Sequence, residues 1–107
     1  MMKHILLLFL LSASSVWSAT AQTTDEQHVI HFRWNKWLIS YSSQREELAP
    51  MIERLRAEPD ASVAVVGRTD KTGTERANRN MSLRRAESVK AYLVANGANA
   101  ENITTQG

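Results

Sequence analysis

The chain has 107 residues, with 13 Lys+Arg against 11 Asp+Glu, a formal net charge of +2 and no cysteine. That length holds one small domain, which on folding buries only about 60–65% of its unfolded surface. The near-balanced charge gives no reason to expect a nucleic-acid partner. The lack of cysteine excludes a disulfide framework, a thiolate metal site and a lipidated cysteine anchor.

The N-terminus sets the compartment. Lys3 and His4 precede an unbroken apolar run, Ile5 to Leu11, followed by small and polar residues and then Ala19-Thr20-Ala21. A basic start, a short apolar run and an Ala-x-Ala site make a secretory signal. The run is well short of the roughly 20 apolar residues a membrane helix needs. Residues 1–21 are therefore expected to be a signal peptide cleaved after Ala21, delivering the chain to the periplasm with no direct membrane insertion afterwards. Lys3 leaves with it, so the remaining 86 residues carry 12 Lys+Arg against 11 Asp+Glu, a formal net charge of +1.

Residues 22–27 form a polar lead expected to be disordered. From His28, Ile30, Phe32 and Trp34 alternate with Val29, His31 and Arg33, the period-two signal of a strand with one apolar face. Trp34 and Trp37 are expected to pack in the core or at the strand end rather than to form a carbohydrate platform. His28 and His31, three apart on a strand, point to opposite faces and cannot chelate one metal together.

Ser43-Gln44-Arg45-Glu46 has the Ser-x-x-Glu form of a capping box, and Leu48, Met51, Ile52 and Leu55 follow at helical spacing. Pro50 predicts either a kink or a regular helix that begins only near Ala49. After Glu58-Pro59-Asp60, the run from Ala61 to Val66 reads as a short strand buried on both faces, ending at Gly67. Arg68 to Glu75 is a polar loop with Gly73 available for a turn. A second helix is predicted over residues 76–96, with Ser82, Ala86, Val89 and Leu93 on one stripe and Gly97 as its C-terminal cap. Asn102 to Thr105 begins a third strand. The fold class is α+β: a β-α-β-α-β two-layer sandwich with helices on one face of a mixed sheet.

Chemistry concentrates where the second strand, its loop and the second helix meet. Asn78 and Arg85 are seven residues apart, so they project within about 20° of each other on a helix. Their face borders the apolar stripe, which puts Arg85 close to the sheet, near the carboxylate of Asp70. A site of both signs suits a zwitterionic ligand, whose carboxylate docks on arginine while its ammonium meets the aspartate. The same residue types have plainer roles available: Asp70 as an Asx turn, and Arg76, Arg79 and Arg84, interrupted by Glu75 and Glu87, as a solvated helix face.

Gly67-Arg68-Thr69-Asp70-Lys71-Thr72-Gly73, then Asn78, then Met81-Ser82-Leu83-Arg84-Arg85-Ala86 resembles the signature of the OmpA-like peptidoglycan-binding family: a Gly-x-Thr-Asp-x-x-Gly turn, an Asn, and a Leu-Ser-x-x-Arg-Ala helix. The resemblance needs no gaps and extends from about Val29 to Gly107. It implies that Asp70 and Arg85 clasp the free amino and carboxylate groups of diaminopimelate in the peptidoglycan stem peptide, with Thr69 and Asn78 lining the same pocket. Arg68 stands where His or Tyr is common, and Met81 replaces the usual Leu. The family fold continues into a further helix and a last strand lying between the first and second, so the chain is expected to be C-terminally incomplete.

No cofactor, metal or catalysis is expected. There is no Gly-x-Ser-x-Gly elbow and no His-Glu-x-x-His. The implied function is non-catalytic binding of peptidoglycan, tethering the cell wall to the outer membrane or an envelope assembly. The alternative is a structural module of the same fold that completes its sheet with a strand from a second copy or an envelope partner.

Overall fold

The computed structural model describes residues 4–14, 22–69 and 72–107. In chain order they form β1 (His4–Ser14), β2 (Gln22–Phe32), α1 (Ser42–Ala57), β3 (Ser62–Gly67), α2 (Glu75–Ala95), a short 3-10 turn (Ala100–Asn102) and β4 (Ile103–Gln106). The strands make one mixed sheet in the order β2-β1-β3-β4. β1 is antiparallel to both of its neighbours, and β3 and β4 are parallel. This is an α+β fold consistent with the expected sandwich.

The N-terminal strand is the main departure from expectation. The apolar run predicted as a leader lies within β1, whose backbone pairs with β2 from His4 opposite Phe32 to Ser14 opposite Gln22, and with β3 from Leu6 opposite Gly67 to Leu11 opposite Ser62. It holds the position between β2 and β3 that the family resemblance assigns to a last strand. β2 consequently begins at Gln22 rather than His28: residues 22–27, expected as a loose lead, belong to the ladder because β1 supplies their partners.

The core lies between this sheet and the two helices. Ile30 and Phe32 of β2, Val63 and Val65 of β3, and Ile103 of β4 meet Leu48, Met51 and Leu55 of α1 and Ala86, Val89 and Leu93 of α2. β3 was expected to be buried on both faces. Instead Val63, Val65 and Gly67 are buried while Ala64 and Val66 are half-buried, because both helices cover the same face of the sheet.

α1 runs unbroken through Pro50. The carbonyl deprived of an N–H partner is that of Glu46, and Glu46 and Pro50 are both exposed, so water can satisfy it. Its N-terminal cap also differs from the Ser43/Glu46 box. The buried Gln44 does the work: its Oε1 accepts from the backbone N–H groups of Ser40 and Tyr41, and its Nε2 donates to the carbonyl of His31 on β2. One amide side chain thus caps the helix and fastens it to the sheet.

α2 matches its prediction within a residue at each end. The Thr74 side chain accepts from Ala77 N–H at the start. At the finish, Gly97 has φ +106°, its N–H bonds to Val94 and that of Ala98 to Leu93, the paired bonds of a Schellman ending.

Gly67 sets how closely α2 approaches the sheet. A Cβ at Gly67 would overlap the Ser82 carbonyl oxygen and lie 2.6 Å from its carbon. Neither group is a flexible side-chain end, so relief requires moving helix or strand. Gly67→Ala is therefore expected to destabilise the fold by about 1–3 kcal/mol or more, measurable as a lowered urea midpoint; an unchanged midpoint would show that α2 can shift at no cost.

Candidate functional site

β3 ends at Gly67, directly under Ser82 of α2. Arg68 and Thr69 follow the strand, and Gly73, whose φ of +88° is a conformation glycine adopts readily, precedes the cap of α2. Thr74 caps α2, which presents Asn78, half-buried, one turn into the helix. Opposite stands the turn Arg33–Lys36 that follows β2. It is closed by the Lys36 N–H on the Arg33 carbonyl at 3.1 Å, with Asn35 at φ 57°. Asparagine is among the few residues other than glycine that readily adopt this φ, which the third position of such a turn requires.

Arg85 ties these segments together. It is fully buried, and its guanidinium donates to three backbone carbonyls: Nε to Lys36 at 2.7 Å, Nη1 to Arg68 at 3.1 Å and Nη2 to Arg33 at 3.3 Å. Its carbon Cζ also sits 5.3 Å from the centroid of the Phe32 ring. The planar fork of arginine allows one side chain to hold both ends of the 33–36 turn and the start of the 68–75 loop at once.

Two clefts open around this junction. The first, of 320 Å³, is lined by Trp34, Asn35, Thr69, Thr72, Gly73, Ala77, Asn78 and Met81. The second, of 530 Å³, is lined by Thr69, Gly73, Glu75, Asn78, Arg79, Ser82 and Gly107. They share Thr69, Gly73 and Asn78 as a common wall. The structure thus brings the predicted Thr69 and Asn78 together at one surface. It places Arg85 beneath that surface rather than on either cleft wall. Asp70 falls outside the described residues.

The 33–36 turn was missed as part of the site. Trp34, expected to be buried, is 59% exposed and stands on the wall of the first cleft. The strand ends at Phe32, so the alternation that carried Trp34 into the predicted core stops two residues short of it. The signal that could have shown this is Asn35-Lys36, a turn pair directly after the apolar position. Trp37 is half-buried, with the Arg84 guanidinium 5.0 Å from its ring centroid. Among the described residues, no group of three or more His, Cys, Asp or Glu side chains could hold a metal ion, and no helix is long and apolar enough to cross a membrane.

The family model of the OmpA family matches residues 32–107. An outer membrane protein A of Bordetella avium is 43% identical over 63 residues, covering 59% of this chain and 32% of that protein. The peptidoglycan-binding protein ArfA of Mycobacterium tuberculosis is 44% identical over 62 residues, covering 58% of this chain and 19% of that protein. An outer membrane protein A of Klebsiella aerogenes is 32% identical over 90 residues, covering 82% of this chain and 25% of that protein. The chain therefore spans a third or less of the length of these relatives.

Proposed function

The chain belongs to the OmpA family, and from that premise we propose that it binds peptidoglycan without catalysis, through the diaminopimelate of the stem peptide, and so tethers the cell wall to the outer membrane or an envelope assembly. The observation that carries this reading is the cleft pair at the Thr69–Asn78 wall, set over a buried arginine at the end of β3. The second cleft has side chains of both signs, Glu75 and Arg79, as a ligand bearing both an ammonium and a carboxylate requires.

In this reading Asp70 receives the ammonium and Arg85 the carboxylate, the roles the motif implies, and because Arg85 lies buried beneath the Thr69–Asn78 wall the carboxylate has to reach it through that wall. The three carbonyls that hold the Arg85 guanidinium fix its orientation before any ligand arrives, and such pre-organisation lowers the entropic cost of binding. The leader reading of residues 1–21 places the folded domain in the periplasm, where cell wall is available. Single-site affinity is modest for a small exposed ligand, and repeated display along the wall supplies avidity. Co-sedimentation with purified sacculi tests the proposal: the domain pellets with them, and failure to pellet would refute it.

A second reading is favoured by the sheet itself, in which β2 and β3 are joined through β1. With residues 1–21 cleaved, the two facing edges could accept a strand from a second copy or an envelope partner. Size exclusion with light scattering on the chain starting at Gln22 then gives a dimer or hetero-complex; a well-behaved monomer would count against strand exchange.

A further inference from the structure

The two clefts differ in chemistry although they share a wall. Among the described residues, the second is lined by Glu75 and Arg79 as well as neutral groups, whereas none of the side chains lining the first carries a charge. The first has instead an exposed indole-bearing residue, Trp34, sharing the cleft lining with the polar Thr69, Thr72 and Asn78 and the apolar Ala77 and Met81.

The backbone that carries Trp34 is held at both ends of its turn. Its turn is closed internally between Arg33 and Lys36, and the same two carbonyl-bearing residues are held from below by the buried Arg85. Its side chain has no hydrogen bond or cation contact with another described residue. In this it differs from the neighbouring aromatics: Arg84 lies over Trp37, and Arg33 lies 3.9 Å from the ring centroid of Tyr41. An aromatic on a rigid turn, exposed and beside neutral hydrogen-bonding groups, suits a ligand with an apolar face and a polar rim. A pyranose has that form, with axial C–H groups on its face and hydroxyls at its edge, and an N-acetyl group adds a methyl for Met81 and Ala77 and an amide for the polar wall.

We propose that the Trp34 cleft is a sugar subsite that stacks an N-acetylated hexosamine ring while the stem peptide occupies the charged cleft beside it. This rests on the peptidoglycan reading and extends it: the ligand unit is a glycopeptide, with the boundary between sugar and peptide at the Thr69–Asn78 wall.

Titration calorimetry with the full chain tests this using two probes, a disaccharide-tripeptide containing diaminopimelate and the same tripeptide without sugars. The wild type binds the glycopeptide about 3- to 10-fold more tightly than the peptide, the range expected of one stacked ring. Trp34→Ala removes that difference and leaves the affinity for the peptide alone unchanged, and Trp34→Phe retains part of it. Equal wild-type affinities for the two probes would overturn the subsite, as would a Trp34→Ala variant that weakens both probes in parallel. Failure of the peptide-only probe to bind the wild type at all would instead refute the peptidoglycan reading on which the subsite stands, and a difference between the two failures is read directly from the peptide arm.

Discussion

Replacing Arg85 with methionine is expected to lower the stability of the domain by about 3–5 kcal/mol, by analogy with the removal of one member of a buried charged pair. Methionine keeps much of the aliphatic stem, so the change is chiefly the loss of the guanidinium. That loss removes the guanidinium donor from the carbonyls of Lys36 and Arg68, each at about 1–3 kcal/mol if water cannot reach it, and takes the second donor from the Arg33 carbonyl, which keeps the Lys36 N–H. Small domains are stable by about 5–15 kcal/mol in total, so the variant should unfold at a markedly lower urea concentration. Arg85→Lys should fall between the two, since a single ammonium cannot reproduce the geometry of the fork. A methionine variant with the wild-type midpoint would show that the three carbonyls find other partners and that Arg85 is not the tie described above. Because Arg85 holds both the fold and the site, loss of ligand binding in its variants would not by itself locate the ligand.

Asp70 offers the cleaner test. Asp70→Asn retains an oxygen that can accept a local backbone hydrogen bond, so its stability should remain within about 0.5 kcal/mol of wild type. It removes the charge that the proposed ammonium requires. Binding to purified sacculi should then weaken by about 2–5 kcal/mol, the cost of leaving one member of a desolvated charge pair unmatched, or roughly 30-fold and more in affinity. Co-sedimentation across a range of domain concentrations gives the apparent affinity. Equal pelleting of wild type and Asp70→Asn, with a loss of stability confined to Asp70→Ala, would identify Asp70 as a turn residue and remove it from the binding site.

Much of this arrangement was legible because it is local. Helical phase alone put Arg85 beside the buried stripe of Ser82, Ala86 and Val89, and it is fully buried. Gly97 ended α2 because its positive φ suits a helix C-terminus. What escaped notice depends on segments distant in sequence. The acceptors of Arg85 lie 17, 49 and 52 residues away, and no spacing rule links a helix arginine to two separate turns. The cap of α1 was misplaced by two positions because Gln44 also reaches His31 on β2, a tertiary contact that overrides the local Ser43/Glu46 pattern. Trp34 was misjudged because apolar alternation does not record where the strand ends. The meeting of Thr69 and Asn78 at one surface was thus readable from the motif, while the aromatic wall depended on the turn Arg33–Lys36 bringing a residue from before α1 alongside one that follows β3.

The position of β1 bears on the order of events in the cell. The segment with the makeup of an export leader is also the one whose backbone stitches β2 to β3. If residues 1–21 act as the proposed leader, a chain that completed this sheet before export would lock that leader into the folded body, out of reach of the export apparatus. Folding and delivery would then compete for the same eleven residues, and secretion would succeed only while the chain remains unfolded.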